Sequence, residues 1–374
     1  MITIKAEKWV NDGYCLGHIA GKPAFIKGAI PGEEVTCRIL KENNRAVFLE
    51  VVGVPTNGRS SDRIISDCPS FPACGGCSFR HISYTEELKL KQSLLCRELG
   101  LDTVEFTSSS PDHYRNTIQI KSSGGQKGFF RQFSNELVAI PESGCKLLDP
   151  ELDSYIQKNK SLTSGDLRIA NGKICHYDRE PSEFVFFNKK ISVPARGFFQ
   201  INSSLIPDWI KRIKTMVSGK RGVELFSGSG LISLMICEKL ERLTGYEIDK
   251  LSVRTAIKNA KTNGIKNIQF HCLNLYKQAF PIEKDCDFIL MNPPRSGLND
   301  LIIQSILDAN IPELVYSSCN YITLGRDLKK LTEKYRIATV HAIDFFPRTP
   351  YFETVVLLKR KSGQQKNSNN HCLK

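Results

Sequence analysis

Apolar and polar positions change rhythm twice along the chain, which divides it into three stretches. Up to residue 58 they alternate in short runs broken by glycine: MITIKAEKWV, GYCLGHIAGKPAFIKGAI and EEVTCRILKENNRAVFLEVVGV. A period of two buries one face of a strand, and turn signals at Asn11-Asp12-Gly13 and Pro31-Gly32 separate the runs. The pattern predicts a small all-β, OB-like barrel over residues 1–58, followed by a linker composition from Pro55 to Ser61. Residues 59–196 are mixed, with one amphipathic helix from Thr85 to about Leu99 and strands around NTIQIKSS, KGFFRQF and NELVAI, and read as an irregular α+β middle domain.

From residue 197 to 361 strands and helices alternate: GVELF, a helix through LISLMICEKL, LTGYEI, a helix through LSVRTAIKNAKTNG, IQFHCL, CDFILM and ELVYSS. That order predicts a Rossmann-like α/β domain, a parallel sheet flanked by helices. YRIATVHAIDFF and YFETVVLLKR complete it as a strand pair expected at the sheet edge, and residues 362–374 read as a flexible polar tail.

Composition narrows the class. With 41% hydrophobic and 24% charged residues the chain is not disordered throughout, and 52 Lys and Arg against 39 Asp and Glu leave +13, a surplus suited to a phosphate-bearing partner. No apolar run approaches the ~20 residues of a membrane helix, and the first residues lack a secretory pattern. The expectation is a cytoplasmic protein with reduced thiols, no membrane and no obligate protein partner. Thirteen cysteines, an odd number, fit a disulfide framework badly, so metal or thiolate chemistry is the better reading.

Three of those cysteines, Cys68, Cys74 and Cys77, share the tight loop DCPSFPACGGCSF, and Cys145 in PESGCKLLDP offers a fourth thiol. Such a set suits zinc or an iron–sulfur cluster, and spacing alone does not choose between them.

A second signal is Val223-Glu224-Leu225-Phe226-Ser227-Gly228-Ser229-Gly230, a strand end opening into a helix, as when backbone must pass close to a cofactor. Glu247 lies 17 positions after Gly230, at the next strand end, where a carboxylate accepts ribose hydroxyls. The missing third glycine disfavours a dinucleotide, so adenosine with a charged tail, as in S-adenosylmethionine, fits better than NAD. Asn274 follows the third strand and could face the adenine. Asn292-Pro293-Pro294-Arg295 follows an apolar strand at the rim where open α/β sheets bind ligands. Two chemistries can use that loop: Asn292 holds the cofactor's amino-acid end while Arg295 meets phosphate or substrate, or the Asn-Pro-Pro carbonyls accept from an exocyclic amine about to be methylated.

Cys319, in VYSSCN, sits on the same rim, and the loop FPRTPYFE delivers Glu353 to the same part of the fold. A lone strand-end cysteine would read as packing and a lone glutamate as a solvated charge. Together they are the two groups that carbon methylation of uracil needs: a thiolate to add at C6 and make C5 nucleophilic, and a base to remove the C5 proton.

In order, Cys68, Cys74, Cys77, Cys145, GFFQIN, LFSGSG, NPPRSG, SSCN and FPRTPYFE resemble the RNA uracil-5 methyltransferases, specifically the iron–sulfur ribosomal RNA branch with an N-terminal TRAM barrel. The resemblance spans nearly the whole chain. It implies a [4Fe-4S] cluster on the four cysteines, Cys319 as nucleophile and Glu353 as base. It also implies S-adenosyl-L-methionine contacts at Gln200, Phe226, Glu247 and Asn292; Gln200 enters only this way. The implied substrate is a single-stranded or extruded uridine of large-subunit (23S) ribosomal RNA. The alternatives are a transfer RNA uridine, amine methylation through Asn292-Pro293-Pro294, and a non-catalytic RNA-binding protein. Three positions depart from the family pattern. Asn292 replaces a usual aspartate, Leu231 stands where a polar residue is common, and Arg348 enters the base loop, where it would meet an RNA phosphate or add a surface charge.

Overall fold

The computed structural model describes residues 1–159, 162 and 165–361, so the expected tail, with Cys372, lies outside the described residues. At the N-terminus six strands form one sheet, in the order Ile2–Lys5, Glu34–Glu42, Val47–Gly53, Lys22–Lys27, Tyr14–Ile19, Lys8–Trp9. All neighbours are antiparallel except Lys22–Lys27 against Val47–Gly53. The alternation works as the sequence indicates: Ile4, Cys15, Ala24, Ile26, Val35, Cys37 and Leu49 all point into one core. Gly17 lets the sheet curl, because a Cβ there would lie 2.6 Å from the Lys5 carbonyl oxygen.

The middle region builds a five-stranded sheet from Leu137–Ala139, Gln126–Phe130, Thr117–Ser123, Gly165–Ala170 and Lys173–His176, and a separate hairpin of Ser182–Phe186 with Lys189–Val193. The strand read through KGFFRQF stops at Phe130, since Phe133 turns the chain with φ +59°. Two buried cations fasten this region to the first sheet. Arg63 forks onto Glu33 at 2.6 Å through both Nε and Nη2, and Lys27 Nζ donates to the Pro72 and Cys74 carbonyls at 2.8 and 2.9 Å.

The C-terminal sheet has eight strands, ordered Ile268–Cys272, Arg242–Glu247, Arg221–Leu225, Phe288–Met291, Glu313–Ser318, Glu353–Arg360, Tyr335–Ile343, Glu105–Thr107. The first five are parallel and the two C-terminal strands join antiparallel. Sequence reasoning places that C-terminal pair at the edge; the edge is instead Glu105–Thr107, which pairs parallel with Tyr335–Ile343. Three residues are too few to show alternation, so this strand has no signal of its own. The helix Tyr84–Leu99, capped by Ser83 and closed by Gly100 at φ +65°, also packs on this domain, with Leu94 and Leu95 against Tyr321, Ala342 and Phe352. The helix read through LISLMICEKL ends at Ile236 and tightens into a 3₁₀ turn over Cys237–Lys239.

Helix Tyr84–Leu99 holds the loop before Glu353 through buried charge. Lys91 Nζ, fully buried, donates to Glu87 Oε1 at 2.7 Å, Asp344 Oδ1 at 2.8 Å and the Phe346 carbonyl at 3.3 Å. Arg348 corrects the expectation of a phosphate contact or surface charge. It is buried, its amide donates to Glu87 Oε1 at 2.7 Å, and its guanidinium donates to the Phe79 and Ile82 carbonyls at 3.3 and 3.2 Å. Burial pushes Glu87 up to about 7, with Lys91 opposing. Lys91→Met strands two buried carboxylates and should destabilise the protein by about 3–5 kcal/mol. In that variant the Glu87 carboxyl, already raised by burial, loses the cation that opposes the rise. Protonation then favours the fold, and the deficit in a urea melt should be smaller near pH 5 than near pH 8.

Candidate active site

A cavity of about 1160 Å³ opens at the carboxyl ends of the parallel strands. Gln200, Phe226, Gly228, Glu247, Asn274, Asn292, Cys319 and Glu353 all lie on its wall. Of the residues expected around cofactor and substrate, only Gly230 does not. With φ +85°, Gly230 fits where a Cβ would meet Leu234 Cδ1 at 2.7 Å and Phe270 Cζ at 2.9 Å, so it serves helix packing behind the turn.

One half of the cavity is built from backbone. Phe226, at φ +63°, and Gly228, at φ +55°, form the turn after Arg221–Leu225, and the Cβ direction of Gly228 is open space. The Gly228 amide donates to Glu247 Oε2 at 3.0 Å, and the Ile248 and Asp249 amides donate to Oε1 at 2.7 and 2.9 Å. Three backbone donors fix this carboxylate and leave acceptor capacity facing the cavity. The Phe226 ring lies 5.7 Å from that of Tyr276, whose amide donates to Asn274 Oδ1 at 3.1 Å. Gln200 is 4% exposed and its Oε1 has no hydrogen-bond partner among the described residues. A buried amide oxygen left unpaired is costly, so a ligand donor is its natural partner.

The other half carries the reactive groups. Cys319 follows strand Glu313–Ser318, and Asn320 caps the helix Tyr321–Leu331. Asn320 Nδ2 and Thr323 Oγ1 donate to the Arg295 carbonyl at 3.0 and 3.1 Å, which ties the cysteine turn to the Asn292–Arg295 loop. The Arg295 guanidinium lies 3.8 Å from the centroid of the Tyr351 ring. Burial first, and Glu353 second, push the Cys319 thiol up to about 11, while Arg295 pulls it down. Glu353 is 1% exposed, and its Oε1 accepts from Ser317 Oγ at 2.5 Å, whose oxygen accepts from Trp209 Nε1 at 3.0 Å. Burial lifts Glu353 to about 7 against the Ser317 hydrogen bond. Sequence reasoning misses Ser317, Trp209 and Tyr351, since the hydroxyl partner of a carboxylate 36 positions away leaves no local trace.

Cys68, Cys74, Cys77 and Cys145, all free, line a second cavity of about 660 Å³. Gly76 N donates to Cys74 Sγ and Arg80 Nε to Cys77 Sγ, both at 3.4 Å. Burial raises the thiols of Cys74, Cys77 and Cys145, and neighbouring thiols in the set add to the rise. Among the described residues no group of three or more His, Cys, Asp or Glu is arranged to hold a single metal ion. Gly75, Gly76, Arg115, Arg196 and Phe198 line both cavities, so the cysteine loop forms part of the partition between them.

Doubly wound sheet, glycine-rich turn and strand-end carboxylate together define an S-adenosyl-L-methionine-dependent methyltransferase. A profile of the tRNA (Uracil-5-)-methyltransferase family matches residues 187–361. An RNA methyltransferase of Leptospira interrogans is 35% identical over 96% of this chain and 95% of its own. The 23S rRNA (uracil(1939)-C(5))-methyltransferase RlmD of Marinomonas sp. is 26% identical over 96% of this chain and 95% of its own. Among solved structures, the Pyrococcus abyssi tRNA (uracil-54, C5)-methyltransferase, in complex with S-adenosyl-L-homocysteine, superposes with a TM-score of 0.73 at 20% identity, covering 95% of this chain and 100% of that one. The chain belongs to the RNA uracil-5 methyltransferase family, whose members methylate C5 of uridine in RNA.

A thiol with so raised a pKa alkylates slowly at neutral pH and faster as pH rises. Iodoacetamide labelling of Cys319, followed by peptide mass spectrometry, should accelerate between about pH 7 and 10. Arg295→Gln should slow it at every pH in that range, because the charge that favours the thiolate is gone.

Proposed function

We propose that the protein methylates C5 of an unpaired uridine in large-subunit ribosomal RNA, with Cys319 as nucleophile and Glu353 as base. The observation that carries this reading is that a half-buried thiol, a buried carboxyl and the glycine-rich turn line one cavity. The Marinomonas relative, which matches nearly end to end and acts on 23S rRNA, supports ribosomal over transfer RNA. The basic surplus supports an RNA partner, and we assign the curled N-terminal sheet the role of a TRAM barrel and the protein to the cytoplasm.

Gln200, Phe226, Gly228, Glu247, Asn274 and Asn292 would hold the cofactor: Glu247 through ribose hydroxyls, Phe226 and Asn274 beside the adenine, Gln200 and Asn292 through their amides. S-adenosyl-L-methionine, when bound, supplies an electrophilic methyl group to C5. The Cys319 thiolate adds to C6 of uracil and pushes electron density through the ring onto the C4 oxygen and C5. Arg295 beside it favours the thiolate. Glu353 takes the C5 proton, and the electron pair of that C–H bond becomes the C5–C6 double bond as the C6–S bond breaks and the thiolate leaves. Ser317 orients the carboxyl. Because Glu353 must be ionised to accept this proton, and burial raises it to about 7, kcat/KM should increase as pH rises through that value.

The four cysteines suit a [4Fe-4S] cluster, which we assign a bracing role. Four thiols lining one cavity are the soft donors that an iron–sulfur cluster takes, and zinc is the alternative. Methyl transfer itself needs no redox step.

Incubation with methyl-labelled S-adenosyl-L-methionine and ribosomal RNA should yield 5-methyluridine, and Cys319→Ala should lower the rate by at least about 10³-fold. Glu353→Gln should instead accumulate a denaturant-resistant protein–RNA adduct, since addition proceeds and elimination does not. A methylated exocyclic amine, or undiminished product from Cys319→Ala, overturns the carbon mechanism. Absence of saturable cofactor binding points to a silent RNA-binding protein, and product only on transfer RNA reassigns the substrate. Anaerobically purified protein should be brown and contain about four irons per chain, and Cys77→Ser should bleach it; a colourless, zinc-loaded sample overturns the cluster.

A further inference from the structure

Four aromatic rings stand together outside every hydrophobic core cluster among the described residues, apart from the catalytic groups, and three of them line the same cavity. Phe25 and Phe48, from adjacent strands of the N-terminal sheet, stack at 5.2 Å and 23°. Tyr14 meets them edge-on at 6.1 and 5.8 Å, and Phe133, from the middle region, meets Phe48 edge-on at 5.0 Å. Tyr14, Phe48 and Phe133 line the cavity that holds Cys319. Two features set Phe133 apart. It is 48% exposed, and its backbone sits at φ +59°, where a side chain strains and glycine does not. The position therefore holds a large apolar ring against backbone preference without gaining core burial for it. Strain of this sort concentrates where a side chain is wanted for something other than folding. The Lys41 ammonium stands 5.3 Å from the Phe133 centroid, exposed on the hairpin that also carries the exposed Arg45.

We propose that Phe133, edged by Phe48, is the stacking site for one unpaired base flanking the target uridine, with Lys41 meeting the phosphate of that nucleotide. This rests on the RNA reading above. A half-exposed ring offers a π-face to any base, the exposed Lys41 ammonium 5.3 Å from its centroid neutralises the adjoining backbone, and continuity with the Cys319 cavity puts the site on the path of the same strand. Because stacking is sequence-tolerant, the site grips and orients without choosing the base. It also spans the two units whose surfaces meet here, so an RNA strand lying on it contacts both.

The test measures binding, which needs no turnover, with a fluorescein-labelled single-stranded RNA of mixed sequence about twelve nucleotides long and a duplex of the same sequence. Phe133→Ala should weaken binding of the single strand about 5- to 100-fold, with the slope of affinity against salt unchanged and duplex binding unaffected. Phe133→Trp should restore affinity. Lys41→Ala should weaken binding too, but lower the salt slope by about one ion, as loss of a phosphate contact does. Phe133→Gly separates stacking from structure: it relieves the backbone, so the melting temperature should hold or rise while single-strand affinity falls. Unchanged single-strand affinity in Phe133→Gly or Phe133→Ala overturns the proposal, as does an equal loss on duplex or a failure of Phe133→Trp to rescue. If the protein forms no 5-methyluridine yet shows this Phe133-dependent binding, the methylation reading fails and the stacking site stands.

Discussion

Exclusion of water from the Glu353 carboxyl is the constraint on which the rest of the site depends. A carboxylate removed from solvent loses hydration that one hydroxyl from Ser317 replaces only in part, so it is held at a proton affinity suited to taking a proton near neutrality. The same exclusion makes the neighbouring thiol reluctant to ionise, and the two groups oppose each other's charge. A site of this kind rests poorly armed. In the proposed mechanism a substrate's electron-poor ring, and the Arg295 guanidinium over Tyr351, would favour its thiolate.

Keeping the carboxyl dry requires a rigid loop, and the chain supplies rigidity from distant segments. Lys91 and Glu87 clamp the loop from helix Tyr84–Leu99, Arg348 turns inward to three carbonyl and carboxylate partners, and Tyr114 reaches from the middle region to the Pro347 carbonyl at 2.9 Å. Such buried ionic contacts add little net stability, yet removing one partner is severe, so they specify one arrangement of the loop. The barrel-like first sheet joins the same framework through Lys27 and Arg63.

Much of this was legible in residue order. The alternation of strand runs such as GVELF, LTGYEI and ELVYSS with helical stretches located the parallel strands, and strand-end positions placed Phe226, Glu247, Asn292 and Cys319 on one rim, because a parallel sheet aims all its carboxyl ends the same way. What stayed hidden has a common cause. Glu105–Thr107 is defined only by the strand it pairs with, Ser317 by a carboxyl from another strand, and Arg348 by carbonyls about 270 positions upstream. Long-range partners of polar groups leave no periodicity, so a buried arginine in a proline-braced loop looks like a surface charge until its acceptors are seen. Gly230 shows the reverse: its motif is visible, but the neighbour it spares, Phe270, belongs to a different strand.

The borrowed edge strand bears on how far the catalytic unit is a unit at all. The stretch that the family profile matches, residues 187–361, contains seven of the eight strands and lacks Glu105–Thr107. Cut free, it would present Tyr335–Ile343 as a bare edge beside the strand that starts at Glu353, with open amides and carbonyls inviting another chain to pair. Recombination that swapped the front of this protein for another RNA-binding module would carry that exposure with it, unless the graft kept the helix and strand that lie some eighty residues before the join. The closed structural unit is therefore not bounded where the sequence changes character.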